Sequence, residues 1–238
     1  MAIRLFRSKK QSDCAAVIVA AGSSTRVGFD KIFHEIGHKT VLERTVSAFQ
    51  NSDEIGEIIV VTASANIEKA AQLCSAFDKV TAVVCGGATR LESSFIGVSA
   101  VSKKMNYIAI HDGARPMVEG ELIARVVQGA RKARCCVPVI ASPDSLKRID
   151  IRGYVDRSED REKVLRVQTP QVFEADIIKG ALTSAYQKNL SLTDDCAAVE
   201  RMGIKIKTVE GSKDNLKITE ASDFGFAYDI FKARGELW

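Results

Sequence analysis

The chain has 238 residues, a length that suits one large domain or a domain with an appendage. Hydrophobic residues make up 46% of the sequence and charged residues 27%, so a sizeable core is expected and a disordered chain is excluded. The net charge of +4 and the pI of about 8.7 are too mild for a nucleic-acid-binding protein, although a positive balance suits small anionic substrates.

The first residues are basic and contain no long apolar run, so they do not resemble a signal peptide. We predict a frayed N-terminal arm over residues 1–13 and a single domain over residues 14–238. The six cysteines form no C-x-x-C pair and lie mostly in apolar runs, which indicates reduced thiols and a cytoplasmic location. No apolar stretch has the length of a membrane span, so neither a membrane nor nucleic acid is expected as a partner.

An apolar run over residues 15–21 is too short for a helix and predicts a buried strand. Small and polar residues follow over 22–25, and then come Arg26 and Lys31. Such a loop lets backbone N–H groups approach phosphate oxygens, while the two cations neutralise phosphate charge. We therefore predict a nucleoside triphosphate loop with Arg26 and Lys31 on the phosphates. The loop matches neither common phosphate motif, so an ordinary turn with two solvated basic residues stays open.

Strands and helices alternate along the following residues. The apolar patterns predict strands at 57–61, 79–85, 107–110 and 135–141, and helices at 41–49, 67–77, around 95–101 and at 119–133. This order predicts an α/β fold with an open, mostly parallel sheet and helices on both faces.

The alternation stops at residues 142–167, where Pro143, paired charges and an Arg-Gly turn predict a polar, projecting β-hairpin arm. A second subunit is the simplest cover for such an arm, so a homodimer is expected. After the arm, the pattern predicts a loop at 168–171, helices near 175–186 and after 193–195, a strand at 204–209 and a last helix from Thr219.

Three loops with unusual content leave the predicted strand ends, where open α/β sheets bind their ligands. The first covers residues 20–31; the second, at 86–94, carries two glycines, Arg90 and two hydroxyls; the third begins at Asp112. A lone aspartate at a strand end is suited to hold Mg²⁺ that bridges phosphates. A turn aspartate is the alternative for Asp112, and a solvated cation at a helix start is the alternative for Arg90. His111 is given no catalytic role.

The order and spacing of seven segments resemble the 2-C-methyl-D-erythritol 4-phosphate cytidylyltransferases of the non-mevalonate isoprenoid pathway. These segments are AAGSSTRVGFDK, GGATRLESS, HDGARP, PDSLKR, DREKVLRVQTPQVF, TDD and GSKDNLKIT. The resemblance covers nearly the whole chain after Asp13. It implies a homodimer with a Rossmann-like sheet and a hairpin arm that embraces its partner. It also implies Mg²⁺-assisted transfer of CMP from CTP to methylerythritol phosphate, with release of pyrophosphate.

The resemblance further implies a role for each matching residue. Catalytic roles fall to Arg26, Lys31, Lys217 and Arg161, the last reaching the neighbouring subunit's site. Nucleotide binding falls to Ala20, Ala21, Gly22, Gly87, Ala88, Arg90 and Ser93. Acceptor binding falls to Asp112, Arg115, Ser145 and Thr169, and Asp112 also holds the metal.

Departures from the family pattern keep other interpretations open. Ile32, Ser145 and Leu165 replace the usual Gln, Thr and Trp, which leaves a cytidylyltransferase for ribitol 5-phosphate or another polyol phosphate as the alternative. A nucleotide-binding module without turnover would lack the cations or the metal ligand, and both are present. No Asp-x-Asp occurs, which counts against a sugar-nucleotide glycosyltransferase.

Overall fold

The computed structural model describes residues 12–22 and 28–237. The strands are β1 (Cys14–Ala20), β2 (Glu35–Ile36), β3 (Lys39–Thr40), β4 (Ile55–Thr62), β5 (Val80–Cys85), β6 (Tyr107–Asp112), β7 (Cys135–Ala141), β8 (Lys147–Ile149), β9 (Val155–Ser158), β10 (Leu165–Val167), β11 (Gln171–Glu174) and β12 (Lys207–Glu210). The helices are α1 (Val41–Gln50), α2 (Ile67–Cys74), α3 (Arg90–Ala100), α4 (Gly120–Ala133), α5 (Ala175–Gln187), α6 (Cys196–Glu200) and α7 (Asp223–Ala233), with 3₁₀ turns at Lys31–Phe33 and Ser64–Asn66.

The central sheet has the strand order β10-β7-β11-β6-β1-β4-β5, and β12 pairs additionally with β7. Strand β1 is parallel to both of its neighbours, β4 and β6, and β5 is parallel to β4. Strands β10 and β11 run antiparallel to theirs. The predicted α/β fold with a mostly parallel open sheet is confirmed, and the carboxyl ends of β1, β4, β5 and β6 lie at one edge.

Strand β1 is buried on both faces because helices cover the sheet on both sides. Its residues Ala16 and Ile18 belong to a core cluster shared with α1, α2, α4 and α7, whereas Ala15 and Val17 belong to a second cluster with α3, α5 and α6. A parallel strand covered on both faces is apolar at every position rather than at alternate ones. The uninterrupted apolar run in the sequence therefore marks the centre of the sheet.

Strand β11 was missing from the predicted elements, which place only a loop at residues 168–171. The strand is four residues long and leads directly into α5, so it is too short to produce a periodic pattern. It lies antiparallel between β6 and β7, with Gln171 opposite Ile110. This insertion brings Thr169, just before β11, beside the carboxyl end of β6.

The predicted start of the last helix at Thr219 is wrong by four residues, because α7 begins at Asp223. The Asp223 carboxylate accepts hydrogen bonds from the backbone N–H groups of Thr219, at 2.7 Å, and Glu220, at 2.9 Å. These bonds hold the segment before α7 as a turn, because they provide its amides with partners that a helix would not supply.

A hairpin formed by β8 and β9 is present within the range 142–167 that the sequence predicts for the arm, whereas β10, at the end of that range, belongs to the central sheet. Among the described strands, β8 and β9 pair only with each other, and β10 then returns to the edge of β7. The tip of the arm exposes apolar side chains to an unusual degree: Ile151 is fully exposed, and Ile149, Tyr154 and Val155 are 63–69% exposed. The boundaries proposed for an N-terminal arm and a single domain stay predictions, since residues 1–11 lie outside the described part of the chain.

All six cysteines lie in the described ranges and are free thiols, with only Cys85 exposed. Within the same ranges, no helix combines the length and the apolar composition needed to cross a membrane.

Gly97 of α3 offers a test of how closely this helix must approach the sheet. A Cβ atom at Gly97 would lie 2.5 Å from Val17 Cγ1 and 2.6 Å from Val61 Cγ2, so Gly97→Ala forces α3 away from β1 and β4. We expect a loss of about 1–3 kcal/mol in the free energy of unfolding, measured by urea denaturation. The control is Gly225→Ala in α7, where nothing lies within 4 Å. It should leave stability unchanged or raise it, and equal losses in the two variants would contradict this account.

Candidate active site

A cavity of about 380 Å³ opens at the carboxyl edge of the sheet. Ten of the residues singled out in the sequence line it: Ala20, Ala21, Gly22, Lys31, Gly87, Ala88, Arg90, Ser93, Asp112 and Lys217. They come from β1, from the loops after β1 and β5, from the first turn of α3, from the end of β6 and from the segment before α7. The three loops therefore converge on one space, as ligand sites do in open α/β sheets.

The loop after β5 packs directly against the loop after β1. A Cβ atom at Gly86 would lie 2.5 Å from Ala21 Cβ and 2.8 Å from Ser93 Oγ, so this approach requires glycine. Helix α3 then begins with a capping box in which Thr89 and Glu92 bond reciprocally to each other's backbone N–H groups. Its first turn borders the cavity, so the positive end of the α3 dipole favours an anion there.

Lys31 enters the cavity from the 3₁₀ turn at Lys31–Phe33. The Asp30 carboxylate caps this turn by accepting the N–H of Ile32 at 3.3 Å, and it also accepts a hydrogen bond from the Asn66 amide at 2.6 Å. The Lys31 ammonium donates a hydrogen bond to the backbone oxygen of Ile218 at 2.9 Å. Lys31 is thus held next to the segment that carries Lys217, although 187 residues separate it from Ile218.

Asp112 lies at the centre of a cluster of cations. Its carboxylate is 3.1 Å from Lys217 Nζ, 3.2 Å from Arg115 Nε and 3.5 Å from Arg90 Nη2. Burial disfavours a charged carboxylate, but the charges of Lys217, Arg90 and Arg115 outweigh it and hold the pKa of Asp112 well below its usual value. Asp112 is therefore ionised, and the cavity still has an excess of positive charge that suits a triphosphate.

Two predicted acceptor-site residues lie behind Asp112 rather than on the cavity wall. Arg115 bonds Asp112 and also donates to the backbone oxygen of Asn215 at 2.8 Å. Thr169 is only 4% exposed, and its hydroxyl accepts the backbone N–H of Asp112 at 3.1 Å. Arg115 and Thr169 thus hold Asp112 in position from the side that faces away from the cavity.

Two further predicted site residues, which lie on the arm, are not brought to the cavity of their own chain. Ser145 and Arg161 line a separate hollow on the arm. Arg26 lies outside the described residues, so its role stays a prediction.

Asp112 is also the candidate ligand for a divalent cation. No group of three or more metal-type side chains occurs in the described ranges of the chain, and Asp112 is the one carboxylate on the cavity wall. Mg²⁺ is commonly held by one or two carboxylates together with substrate phosphates rather than by a complete protein cage. The Asp112 carboxylate is ionised, and its Oδ1 has only the 3.5 Å contact with Arg90 among the ion pairs of the described residues. Asp112 therefore fits this mode of metal binding.

Comparison with known proteins shows the family to which this chain belongs. The sequence model of the family described as IspD, 2-C-methyl-D-erythritol 4-phosphate cytidylyltransferase, matches residues 14–233. The chain belongs to this family. A similar family member from Dehalococcoides mccartyi strain CBDB1 is 39% identical over 221 residues, which cover 91% of this chain and 95% of that protein. Another, from Clostridium tetani, is 34% identical over 94% of this chain and 92% of that protein.

Solved structures agree with this assignment. A 4-diphosphocytidyl-2C-methyl-D-erythritol synthase from Anaerococcus prevotii superposes with a TM-score of 0.84 at 30% identity, covering 93% of this chain and 97% of that one. The 2-C-methyl-D-erythritol 4-phosphate cytidylyltransferase from Thermus thermophilus gives a TM-score of 0.76 at 30% identity, over 91% and 98% of the two chains. The resemblance that the seven sequence segments carried is therefore confirmed.

Asp195 completes the charge cluster of this cytidylyltransferase-family site, although the sequence predicts no site role for this residue. The sequence predicts a helix after residues 193–195, and Asp194 caps that helix, α6, by accepting the N–H of Ala197 at 3.0 Å. The buried Asp195 carboxylate instead lies 2.8 Å from Arg90 Nη2. Burial disfavours the charged guanidinium, but Asp195 and Asp112 together raise the pKa of Arg90 above its usual value. Nothing in the local sequence separates a buried aspartate from an adjacent capping one.

The Asp195–Arg90 pair predicts a measurable coupling. Asp195→Asn keeps the size of the side chain and removes its charge, so Arg90 loses its shorter ion pair and keeps Asp112. We expect a loss of about 1–3 kcal/mol in the free energy of unfolding, since Arg90 is partly exposed and retains one partner. In a double-mutant cycle with Arg90→Gln, the coupling energy should be about 1 kcal/mol or more.

The control for that cycle is Asp176→Asn, which changes an exposed aspartate in the first turn of α5. Its effect should add to that of Arg90→Gln within about 0.5 kcal/mol. Additivity of the Asp195 and Arg90 variants would show that the buried ion pair makes no contribution.

Proposed function

We propose that the protein transfers CMP from CTP to 2-C-methyl-D-erythritol 4-phosphate, giving 4-diphosphocytidyl-2-C-methyl-D-erythritol and pyrophosphate. The observation that carries the proposal is the cavity lined by Lys31, Arg90, Lys217 and the ionised Asp112, with Arg90 and Lys217 in direct contact with that carboxylate. Membership of the cytidylyltransferase family supports both the nucleotide and the acceptor. No observation favours ribitol 5-phosphate or another polyol phosphate.

In the proposed reaction, a phosphate oxygen of the acceptor attacks the α-phosphorus of CTP. The bond from that phosphorus to the β,γ-pyrophosphate breaks, and pyrophosphate leaves with the bonding electrons. The reaction needs no covalent intermediate, so the protein acts by positioning two anions and by stabilising the charge that develops between them. Lys31 and Lys217 are suited to this task because their ammonium groups are anchored, Lys31 on Ile218 and Lys217 on Asp112.

The nucleoside part of CTP is assigned to backbone and small side chains. The wall formed by residues 20–22 and by Gly87 and Ala88 offers peptide groups with little side-chain obstruction. Peptide N–H and C=O groups read the edge of a base by hydrogen bonds, and the close packing at Gly86 holds the two loops at a fixed separation. Ser93, in the first turn of α3, completes this wall.

Mg²⁺ is proposed as the cofactor, held by Asp112 and the phosphates of CTP. When bound, it supplies charge neutralisation at the phosphate oxygens. Asp112 remains ionised at neutral pH because the neighbouring cations lower its pKa, so it can serve the metal without first losing a proton.

A homodimer is proposed as the active form, with Arg161 and Ser145 acting in the partner's site. Both residues lie on the arm, away from the cavity of their own chain. The exposed apolar side chains at the tip, such as Ile151 and Tyr154, are the kind that an interface buries. A cytoplasmic location is proposed with it, in keeping with free thiols at all six cysteines.

An acceptor panel tests the proposed reaction. Pyrophosphate release is measured with CTP, UTP, ATP or GTP, each combined with methylerythritol 4-phosphate or ribitol 5-phosphate in the presence of Mg²⁺. We expect turnover chiefly with CTP and methylerythritol 4-phosphate. Lys217→Gln should reduce kcat by about 10²–10³-fold, because it removes a charge that the transition state needs. Lys213→Gln, at an exposed position of the same segment, is the control and should not change kcat. Absence of pyrophosphate release from the unmodified protein would refute the proposal.

A heterodimer tests the contribution of the arm across subunits. One chain carries Lys31→Ala, the other Arg161→Ala, and two different affinity tags allow the mixed dimer to be isolated. Each homodimeric variant should be nearly inactive. If Arg161 serves the partner's site, one of the two sites in the mixed dimer has both residues, and about half of the wild-type activity returns. An inactive mixed dimer would place Arg161 in its own chain's site, whereas an active Arg161→Ala homodimer would place Arg161 outside catalysis.

A further inference from the structure

The buried His111 is without a role in the site described above, although it precedes Asp112 directly in β6. Its side chain is fully buried and packs against Phe49, with 4.9 Å between the ring centroids. Both ring nitrogens have polar neighbours: Nδ1 lies 3.0 Å from Thr169 Oγ1, and Nε2 lies 3.2 Å from the backbone oxygen of Arg115. Both polar atoms of the buried ring are therefore satisfied, and this fixes the orientation of the ring between Thr169 and Arg115.

These partners determine the position of the ring proton. A carbonyl oxygen only accepts hydrogen bonds, so Nε2 carries a proton and donates it to Arg115. Among the described residues, the buried Thr169 hydroxyl has hydrogen-bond contacts only with the backbone N–H of Asp112, which is a donor, and with Nδ1, so its proton has no acceptor other than Nδ1. Nδ1 is then an acceptor, and the Thr169 hydroxyl donates its proton to it.

The Thr169 hydroxyl in turn receives the backbone N–H of Asp112 at 3.1 Å. Its proton is directed towards His111, so its lone pairs face the amide. A chain of three hydrogen bonds therefore runs from Asp112 N–H to Thr169, from Thr169 to His111, and from His111 to Arg115. Each donor in this series of hydrogen bonds has one acceptor, so the series holds the backbone of Asp112 in one position.

We propose that His111 is a positioning residue, which orients the Thr169 hydroxyl and through it the backbone that presents the Asp112 carboxylate to the substrates. In this arrangement Thr169 also acts through Asp112, since its one hydroxyl proton is directed to His111 rather than to the acceptor phosphate. The Thr169 carbonyl extends the support further, because it accepts a hydrogen bond from the Asn215 amide at 2.8 Å, two residues before Lys217. The kinetic part of this inference rests on the proposed function, whereas its structural part does not.

Two substitutions separate positioning from packing. Asparagine at position 111 can place its side-chain oxygen near the site of Nδ1, where it still accepts from Thr169. Glutamine reaches towards the site of Nε2 and leaves nothing at Nδ1. At saturating substrates, we expect His111→Gln to reduce kcat by about tenfold or more with little change in the KM for CTP. We expect His111→Asn to retain kcat within about threefold of the wild type. Equal losses in both variants, or an unchanged kcat in His111→Gln, would overturn the proposal.

A double-mutant cycle tests whether His111 acts through Thr169. Thr169→Val removes the hydroxyl and keeps the shape of the side chain. If the two residues act as one chain, the double variant His111→Gln/Thr169→Val should be no slower than the more impaired single variant, within about twofold. Losses that multiply would show independent roles and contradict the inference.

NMR spectroscopy of the wild-type protein tests the structural part of the inference. It requires neither turnover nor a variant that folds. The protein contains three histidines, so ¹⁵N labelling of their rings gives few signals in a long-range ¹H–¹⁵N spectrum. At neutral pH we expect the buried ring to carry its proton on Nε2, with Nδ1 unprotonated. A proton on Nδ1 would reverse the chain and refute the proposal. Failure of the wild type in the acceptor panel would refute the proposed function alone, since the proton on this ring is observed independently of the reaction.

Discussion

The structure of the site depends on one buried negative charge, the carboxylate of Asp112. A carboxylate in this position is stable only if cations compensate the loss of its hydration. Lys217, Arg115 and Arg90 provide that compensation. Arg115 follows Asp112 by three residues, whereas Arg90 and Lys217 come from other parts of the chain. The charge cluster therefore forms only when the whole sheet is assembled, and the same cluster leaves the cavity with the excess positive charge that a triphosphate requires.

The sheet places this cluster by close backbone packing. Helix α3 rests directly on β1 and β4 at Gly97, and the loop before α3 rests on the loop after β1 at Gly86. The short antiparallel β11 then brings Thr169 to the amide of Asp112. The ends of the strands and the hydrogen bonds from neighbouring segments thus determine the position of each charged group.

The projecting arm at β8 and β9 relates the site to the proposed dimer. Its apolar tip is exposed in one chain, and its Arg161 and Ser145 line one hollow on the arm, which is separate from the cavity that holds the charge cluster. In the proposed dimer, a second copy would cover the arm, burial of the apolar side chains would stabilise the assembly, and the polar residues of the arm would extend the partner's site. The proposed dimer thus links the stability of the arm to the completeness of the site.

The sequence determined the fold class, the loops of the cavity and most of its lining residues. An uninterrupted apolar run marks a central parallel strand, and polar residues at strand ends meet at one edge whatever the details of packing. Only the tertiary structure decided that Asp195 pairs with Arg90, that β11 inserts beside β6 and that His111 bonds Thr169. Burial and pairing of a polar side chain depend on neighbours from elsewhere in the chain, and no local pattern records them.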